Sequence, residues 1–138
     1  MGIELPEGYK PTANEEFMNE LQLAYFKKKL LDWKNELVRD SQETLSHLQT
    51  DSLKEPDIAD RASSETDWSV ELRTRDRQRK LIGKIDAALD RIEQGEYGYC
   101  EVTGDPINVE RLEVRPIATM TLEAQEQHEQ YEKSHRDD

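Results

Sequence analysis

LQLAYFKKKLLDWKNELVRDSQETL, residues 21–45, contains no proline or glycine, and its leucines recur with a fixed step. Leu23, Leu30 and Leu37 are seven apart, and Leu31, Val38 and Leu45 form a second row one position on. Apolar residues at that spacing share one face of a helix, and a heptad repeat calls for a partner helix alongside. The uninterrupted run from Phe17 to about Gln49 predicts a helix of roughly 50 Å at 1.5 Å per residue. Asn14, followed by Glu15 and Glu16, is the expected N-terminal cap, since acidic side chains suit the positive end of the helix dipole.

The partner lies further along. Pro56 cannot sit inside a helix without losing a hydrogen bond, so residues 51–63 are expected to form the tip of a helical hairpin. Ser64 or Thr66 can cap a second helix running to Glu93. Its seam is Ile82, Ile85, Leu89 and Ile92; extended backwards the same rows meet Gln78, Arg75, Glu71 and Trp68, so the seam is apolar at the base and polar toward the tip. Gly95 ends it. The expected fold is mainly α: a long antiparallel two-helix coiled-coil hairpin over residues 17–94, with an N-terminal segment over 1–16 and a small region over 95–138. In that last region Tyr97, Tyr99, Val102, Ile107, Val109, Leu112 and Val114 are the candidate core. Thr119 or Thr121 is the candidate cap of a polar C-terminal helix.

Composition limits the function. The 138 residues carry a formal net charge of −12 and are 36% charged and 34% hydrophobic. Nucleic-acid affinity comes largely from lysine and arginine displacing counterions, so direct DNA or RNA binding is not expected. A basic protein surface or cationic channel is a better electrostatic partner. One cysteine excludes an intrachain disulfide and fits a reducing compartment. MGIELPEGYKPTANEE has neither a basic nor an apolar leader region, so no signal peptide is expected, and a cytoplasmic location follows.

Three groups of residues could carry chemistry. YCEVTGDPI, residues 99–107, has the outline of a zinc knuckle. Thr103, however, stands where a second thiolate belongs, and His47, His128 and His135 are badly placed to complete four ligands. A turn at Gly104, extended by Asp105-Pro106, explains the same residues without a metal. The acidic neighbours Glu101 and Asp105 are expected to raise the pKa of Cys100, which favours a structural thiol. Asp57 and Asp60 in DIADRA could cap the second helix, hold a divalent cation or meet a cationic partner. LRTRDRQRK, residues 72–80, with Lys84, Arg111 and Arg115, is either a solvated face or a cationic site for an anion such as a phosphorylated nucleotide. No nucleotide-binding loop, nucleophile elbow or zinc-protease motif is present, so no enzyme is expected.

DIADRA, ELRTRDRQRKLIGKIDAALDRIEQGEYGYCEVTG and RLEVRPIA, in that order, resemble the DksA/TraR family of bacterial RNA polymerase-binding transcription factors. The resemblance covers almost all of the chain beyond about residue 13. It implies a monomeric regulator that enters the secondary channel of bacterial RNA polymerase without binding DNA, RNA or membrane. Together with ppGpp, the effector of the stringent response, such a regulator inhibits ribosomal RNA promoters and activates amino-acid promoters. By the same resemblance Asp57, Asp60 and Ala62 form the working tip, Arg77 contacts polymerase, and Leu81, Lys84 and Arg115 bind ppGpp. The family's four zinc cysteines match Cys100, Thr103, Thr121 and Ala124, so the resemblance is to a zinc-independent, cysteine-poor type with a degenerate zinc-finger-like segment and no cofactor of its own. Gln125 stands where the family often has a lysine facing ppGpp, and Gly83 replaces another common lysine. A generic coiled-coil adaptor and a Gre-like transcript-cleavage factor are the alternatives.

Overall fold

A computed structural model describes residues 4–52 and 58–135, with side chains described for all of these except 47–52 and 58–65. Four helices are present among the described residues: α1 (Glu20–Ser52), α2 (Ile58–Gln94), α3 (Val109–Val114) and α4 (Leu122–Ser134). Extended structure is limited there to one isolated bridge, Tyr99 with Pro106. No helix among them is long and apolar enough to cross a membrane.

The chain divides into two units, Met1–Leu30 with Ala87–Asp138, and Leu31–Asp86. In the first, Phe26 and Leu30 of α1 and Ala88 and Ile92 of α2 are buried together with Tyr97, Ile107 and Leu112. Complete burial of the larger of these side chains stabilises by about 1.5–3 kcal/mol each. The Phe26 and Tyr97 rings lie 5.6 Å apart. Tyr97 donates to the Pro116 carbonyl at 2.7 Å, which satisfies its hydroxyl inside the core. The antiparallel register of α1 and α2 in this unit is marked by Lys27–Glu93 at 3.1 Å.

In the second unit the marker is Lys34–Asp86 at 2.6 Å. Both ion pairs are part-exposed, so they set register more than they add stability. Ile85 is the one buried hydrophobic residue of this unit among the described residues. Of the heptad rows, Leu37, Val38 and Leu45 are half-buried here while Leu31 is exposed, so the packing is thin.

Several boundaries differ from expectation. α1 starts at Glu20 rather than Phe17, and its cap is Asn19, whose side chain accepts from the Gln22 amide at 2.8 Å. Asn14 loses that role because residues 4–18 form a strap stitched to the domain. Tyr9 packs edge-on against Tyr25 at 6.0 Å, and Phe17 against Tyr99 at 5.3 Å. Met18 adopts φ +51° and lies over Gly98. The strap is pinned by Gln22, which is fully buried. Its side chain accepts from the Met18 amide at 2.7 Å and donates to the Thr12 carbonyl at 3.3 Å and to Glu15 at 3.1 Å. α2 begins at Ile58, earlier than the Ser64 start that capping residues suggested. Of the candidate core, Tyr97, Ile107, Val109 and Leu112 are buried, whereas Tyr99, Val102 and Val114 are exposed. Gly95 ends α2 with φ +77°, as its position suggested.

Candidate functional site

The knuckle segment is a small antiparallel turn. The Ile107 amide donates to the Gly98 carbonyl at 2.7 Å, the Cys100 amide to the Asp105 carbonyl at 2.8 Å, and the Gly104 amide to the Cys100 carbonyl at 2.8 Å. Gly104 has φ +77°, a conformation that favours glycine. The Glu101 amide donates to the Thr119 carbonyl at 2.8 Å, which brings the start of α4 beside the turn. Thr121 caps α4, accepting from the Ala124 amide at 3.2 Å. Its hydroxyl lies 4.0 Å from Cys100 Sγ.

Cys100, Thr103 and Thr121 are therefore gathered in space, with buried Ala124 on the first turn of the helix behind them. Burial alone pushes the Cys100 thiol up. Hydrogen bonds from the Thr103 hydroxyl and from the backbone of Thr121, Thr103 and Val102 outweigh it and bring the pKa down to about 7. This reverses the expectation drawn from Glu101 and Asp105. The Thr103 hydroxyl and the backbone around the sulfur favour the thiolate, and neither Glu101 nor Asp105 is among the groups that move it.

A second constellation fixes α3, a helix that the sequence did not suggest. Tyr25 donates to Glu113 at 2.5 Å, and Lys29 pairs with the same carboxylate at 3.1 Å while donating to the Glu113 carbonyl at 2.7 Å. Burial would raise the Glu113 carboxyl, yet the Tyr25 and Lys29 contacts hold it below the ordinary carboxylate range. Tyr25, part-buried and facing that carboxylate, is pushed up to about 12. With α3 so anchored, Arg115 at its C-terminal cap remains exposed. It lines a cleft of about 510 Å³ with Asn108, Arg111, Val114, Thr121 and Leu122. Arg111 is occupied, donating to the Met120 carbonyl at 3.0 Å. Glu110 and Glu123 line the same cleft, so the exposed Arg115 stands there beside two carboxylates.

On α2, Arg73, Arg77, Lys80 and Lys84 are all exposed. At 100° per residue the four fall within about 60° of one another, forming one basic ridge. Arg79 is set apart from it, paired with Asp76 at 3.5 Å. Leu81 is half-buried beside the ridge. Arg77, Leu81 and Lys84 thus lie in the second unit, and Arg115 in the first. Gln125 is turned to its own helix, donating to Glu129 at 3.0 Å. Asp57 lies outside the described residues. Asp60 and Ala62 fall within the opening turns of α2, with side chains outside the described set.

Residues 22–92 match the family model of the N-terminal domain of DnaK suppressor protein DksA, and residues 95–130 match the prokaryotic dksA/traR C4-type zinc finger. The chain is 64% identical over 130 residues to the RNA polymerase-binding transcription factor DksA of Caulobacter vibrioides, covering 94% of this chain and 92% of that protein. It is 44% identical over 117 residues to the protein of the same name from Escherichia coli K12, covering 85% and 78% of the two chains. The solved structure of transcription factor DksA2 from Pseudomonas aeruginosa superposes with a TM-score of 0.83 at 36% identity, covering 88% of this chain and 95% of that one.

The match over 95–130 corrects the expectation of a zinc-independent type with no cofactor: the family whose pattern this segment follows is a four-cysteine zinc finger. The donor set does not fit the ion, because Cys100 is the only thiol. Among the described residues no three His, Cys, Asp or Glu side chains gather for a metal.

Proposed function

The chain belongs to the DksA/TraR family, and we propose that it is a transcription regulator that binds bacterial RNA polymerase. The observation that carries this reading is the 64% identity, over 94% of the chain, to a relative named for polymerase binding. Members of the family are transcription factors and not enzymes. In this reading the α1–α2 hairpin enters the secondary channel as a monomer in the cytoplasm, and Asp57, Asp60 and Ala62 act at its tip. Arg77 contacts polymerase, while Leu81, Lys84 and Arg115 hold ppGpp against the polymerase surface. Promoter complexes are then destabilised at ribosomal RNA promoters and assisted at amino-acid promoters, with no direct contact to DNA. The exposed basic ridge around Arg77 and Lys84 and the exposed Arg115 support the anion-binding part of this reading. The net charge of −12 supports the lack of DNA contact.

The test is transcription in vitro from a ribosomal RNA promoter with purified polymerase, comparing wild type with Asp60→Asn, each with and without ppGpp. Wild type is expected to inhibit, more strongly with ppGpp. Asp60→Asn is expected to bind polymerase and inhibit poorly. A wild-type protein that neither binds polymerase nor alters transcription overturns the proposal.

A further inference from the structure

α3 is too short to hold itself. It has 6 residues, and closing the first turn of a helix costs more conformational freedom than its hydrogen bonds return. Its start is fixed by the Asn108 side chain, which accepts from the Glu110 amide at 2.8 Å, and by the buried Val109 and Leu112. Its last turn runs out into solvent, where Val114 and Arg115 are both exposed. What holds that end is Glu113, and it does so twice. The carboxylate accepts from the Tyr25 hydroxyl at 2.5 Å and pairs with Lys29 at 3.1 Å, and the main-chain carbonyl accepts from Lys29 again at 2.7 Å. Lys10 of the N-terminal strap adds a second positive charge that favours the ionised carboxylate. Tyr25 and Lys29 are four residues apart on α1, so their side chains share a face and converge on one point. The Tyr25 ring is itself set between Tyr9 and Phe26, with centroids at 6.0 and 5.3 Å.

Arg115 follows two positions after this anchor. Its amide donates to the Arg111 carbonyl at 2.8 Å, and its carbonyl accepts from the Ala118 amide at 3.0 Å, so its backbone moves with the end of α3. Its guanidinium faces competition, because Glu110 and Glu123 line the same cleft. A backbone able to drift would let the nearer carboxylate take the guanidinium and neutralise it within the protein. A fixed backbone restricts what the side chain can reach. We infer that Glu113 is a positioning residue for Arg115: tied to Tyr25 and Lys29, it holds the end of α3 so that the Arg115 cation stays available to a phosphate-bearing ligand. The inference rests on the proposed reading in which Arg115 holds ppGpp. Tyr25 and Lys29 are not among the residues that line the cleft, so their effect on the nucleotide is indirect.

The full chain carrying Lys29→Met tests the inference, with Tyr25→Phe as a milder variant that keeps the ring contacts. Amide hydrogen exchange is followed by NMR, and the ppGpp concentration giving half of the maximal effect is followed in transcription from the ribosomal RNA promoter. In Lys29→Met the Arg115 amide is expected to exchange about tenfold faster. The Ile107 amide, which donates to the Gly98 carbonyl, should keep its rate and so report an intact domain. The half-maximal ppGpp concentration is expected to rise about fivefold, with polymerase binding and inhibition in the absence of ppGpp unchanged. Tyr25→Phe should move both readouts the same way by a smaller factor. An equal loss of inhibition with and without ppGpp would mean general damage and overturns the inference. An unchanged Arg115 amide in both variants overturns it too. Arg115→Ala, run alongside, separates the two claims. If Arg115→Ala leaves the ppGpp response untouched, the reading that places ppGpp at Arg115 fails and the inference falls with it. If Arg115→Ala weakens the response while Lys29→Met and Tyr25→Phe leave it intact, that reading stands and the inference alone is overturned. Should Lys29→Met misfold, Tyr25→Phe decides.

Discussion

Replacing Gln22 with leucine removes the pin between the N-terminal strap and the domain. The side chain is fully buried and makes three hydrogen bonds, to the Met18 amide, the Thr12 carbonyl and Glu15. Leucine is close in volume, so the change is mainly chemical. The Met18 amide is left half-buried without its acceptor, a cost of about 1–3 kcal/mol. The Thr12 carbonyl belongs to an exposed residue and finds water, so its loss adds little. Glu15 keeps the Tyr9 hydroxyl at 2.6 Å. The extra apolar burial returns less than about 1 kcal/mol. The net expectation is a loss of about 2 kcal/mol. An unfolding entropy of roughly 2.1 cal/mol/K per residue over a chain of this size makes each kcal/mol worth about 3–4 °C, so Tm falls by about 7 °C. Circular dichroism at 222 nm reads the transition. Limited chymotrypsin digestion reads the strap directly, because cleavage after Tyr9 and Phe17 should quicken while the buried Leu112 of α3 stays protected. A fall in Tm below about 2 °C with unchanged cleavage after Tyr9 and Phe17 refutes the reasoning, since the strap would then be held by its aromatic contacts alone.

Gly98→Ala is expected to cost about 2 kcal/mol in chemical denaturation, because φ is +92° and the added methyl would meet Met18 at 3.1 Å. Adding Met18→Ala should recover part of that loss, and no recovery would mean that backbone strain accounts for all of it. Phe26→Ala is expected to cost about 3–5 kcal/mol and to leave the first unit largely unfolded at 37 °C by near-ultraviolet circular dichroism. For Cys100 the folded pKa of about 7 lies below the ordinary 9.0, so its contribution to stability is full above about pH 9 and is lost as pH falls through 7. Wild-type Tm should therefore rise between pH 7 and 9 relative to Cys100→Ala, and parallel Tm profiles of the two proteins would count against a depressed thiol. If the proposed ppGpp site includes position 125, Gln125→Lys is expected to increase the ppGpp response in the transcription assay by adding a cation; an unchanged response would remove this position from the proposal.

Local rules carried the sequence reading wherever the deciding contacts lay close along the chain. The heptad rows of Leu23, Leu30 and Leu37 led to α1, Gly95 and Gly104 marked chain reversals with φ +77°, and Thr121 marked the start of α4. What escaped was set by partners distant in sequence. Glu113 looks like one more surface acid in ERLEVRP, and nothing near it shows that Tyr25, 88 positions away, donates to it. Gln22 looks like a polar interruption in an apolar row, and its burial follows from a strap whose course depends on Met18 and Gly98. Val114 and Val102 were assigned to the core on residue type, yet they are 87% and 64% exposed, because a domain this small has few interior places. The Cys100 thiol was misjudged because side-chain charges can be read from a sequence and backbone amide directions cannot. In the candidate site, the run of arginines was visible as composition, but only the helix sorted Arg73, Arg77, Lys80 and Lys84 onto one ridge and turned Arg79 toward Asp76.

The two ion pairs that mark the α1–α2 register are themselves one heptad apart. Stepping from Lys27 to Lys34 on one helix corresponds to stepping from Glu93 back to Asp86 on the other. The hairpin is thus graduated like a ruler, and its length can be changed in whole divisions. Removing seven residues from each helix at matched positions keeps every remaining pair in step and shortens the hairpin by about 10 Å. Removing seven from one helix alone shifts the two scales against each other and leaves the ends unmatched. Reach is in this sense a quantity written twice in the chain, once in each direction.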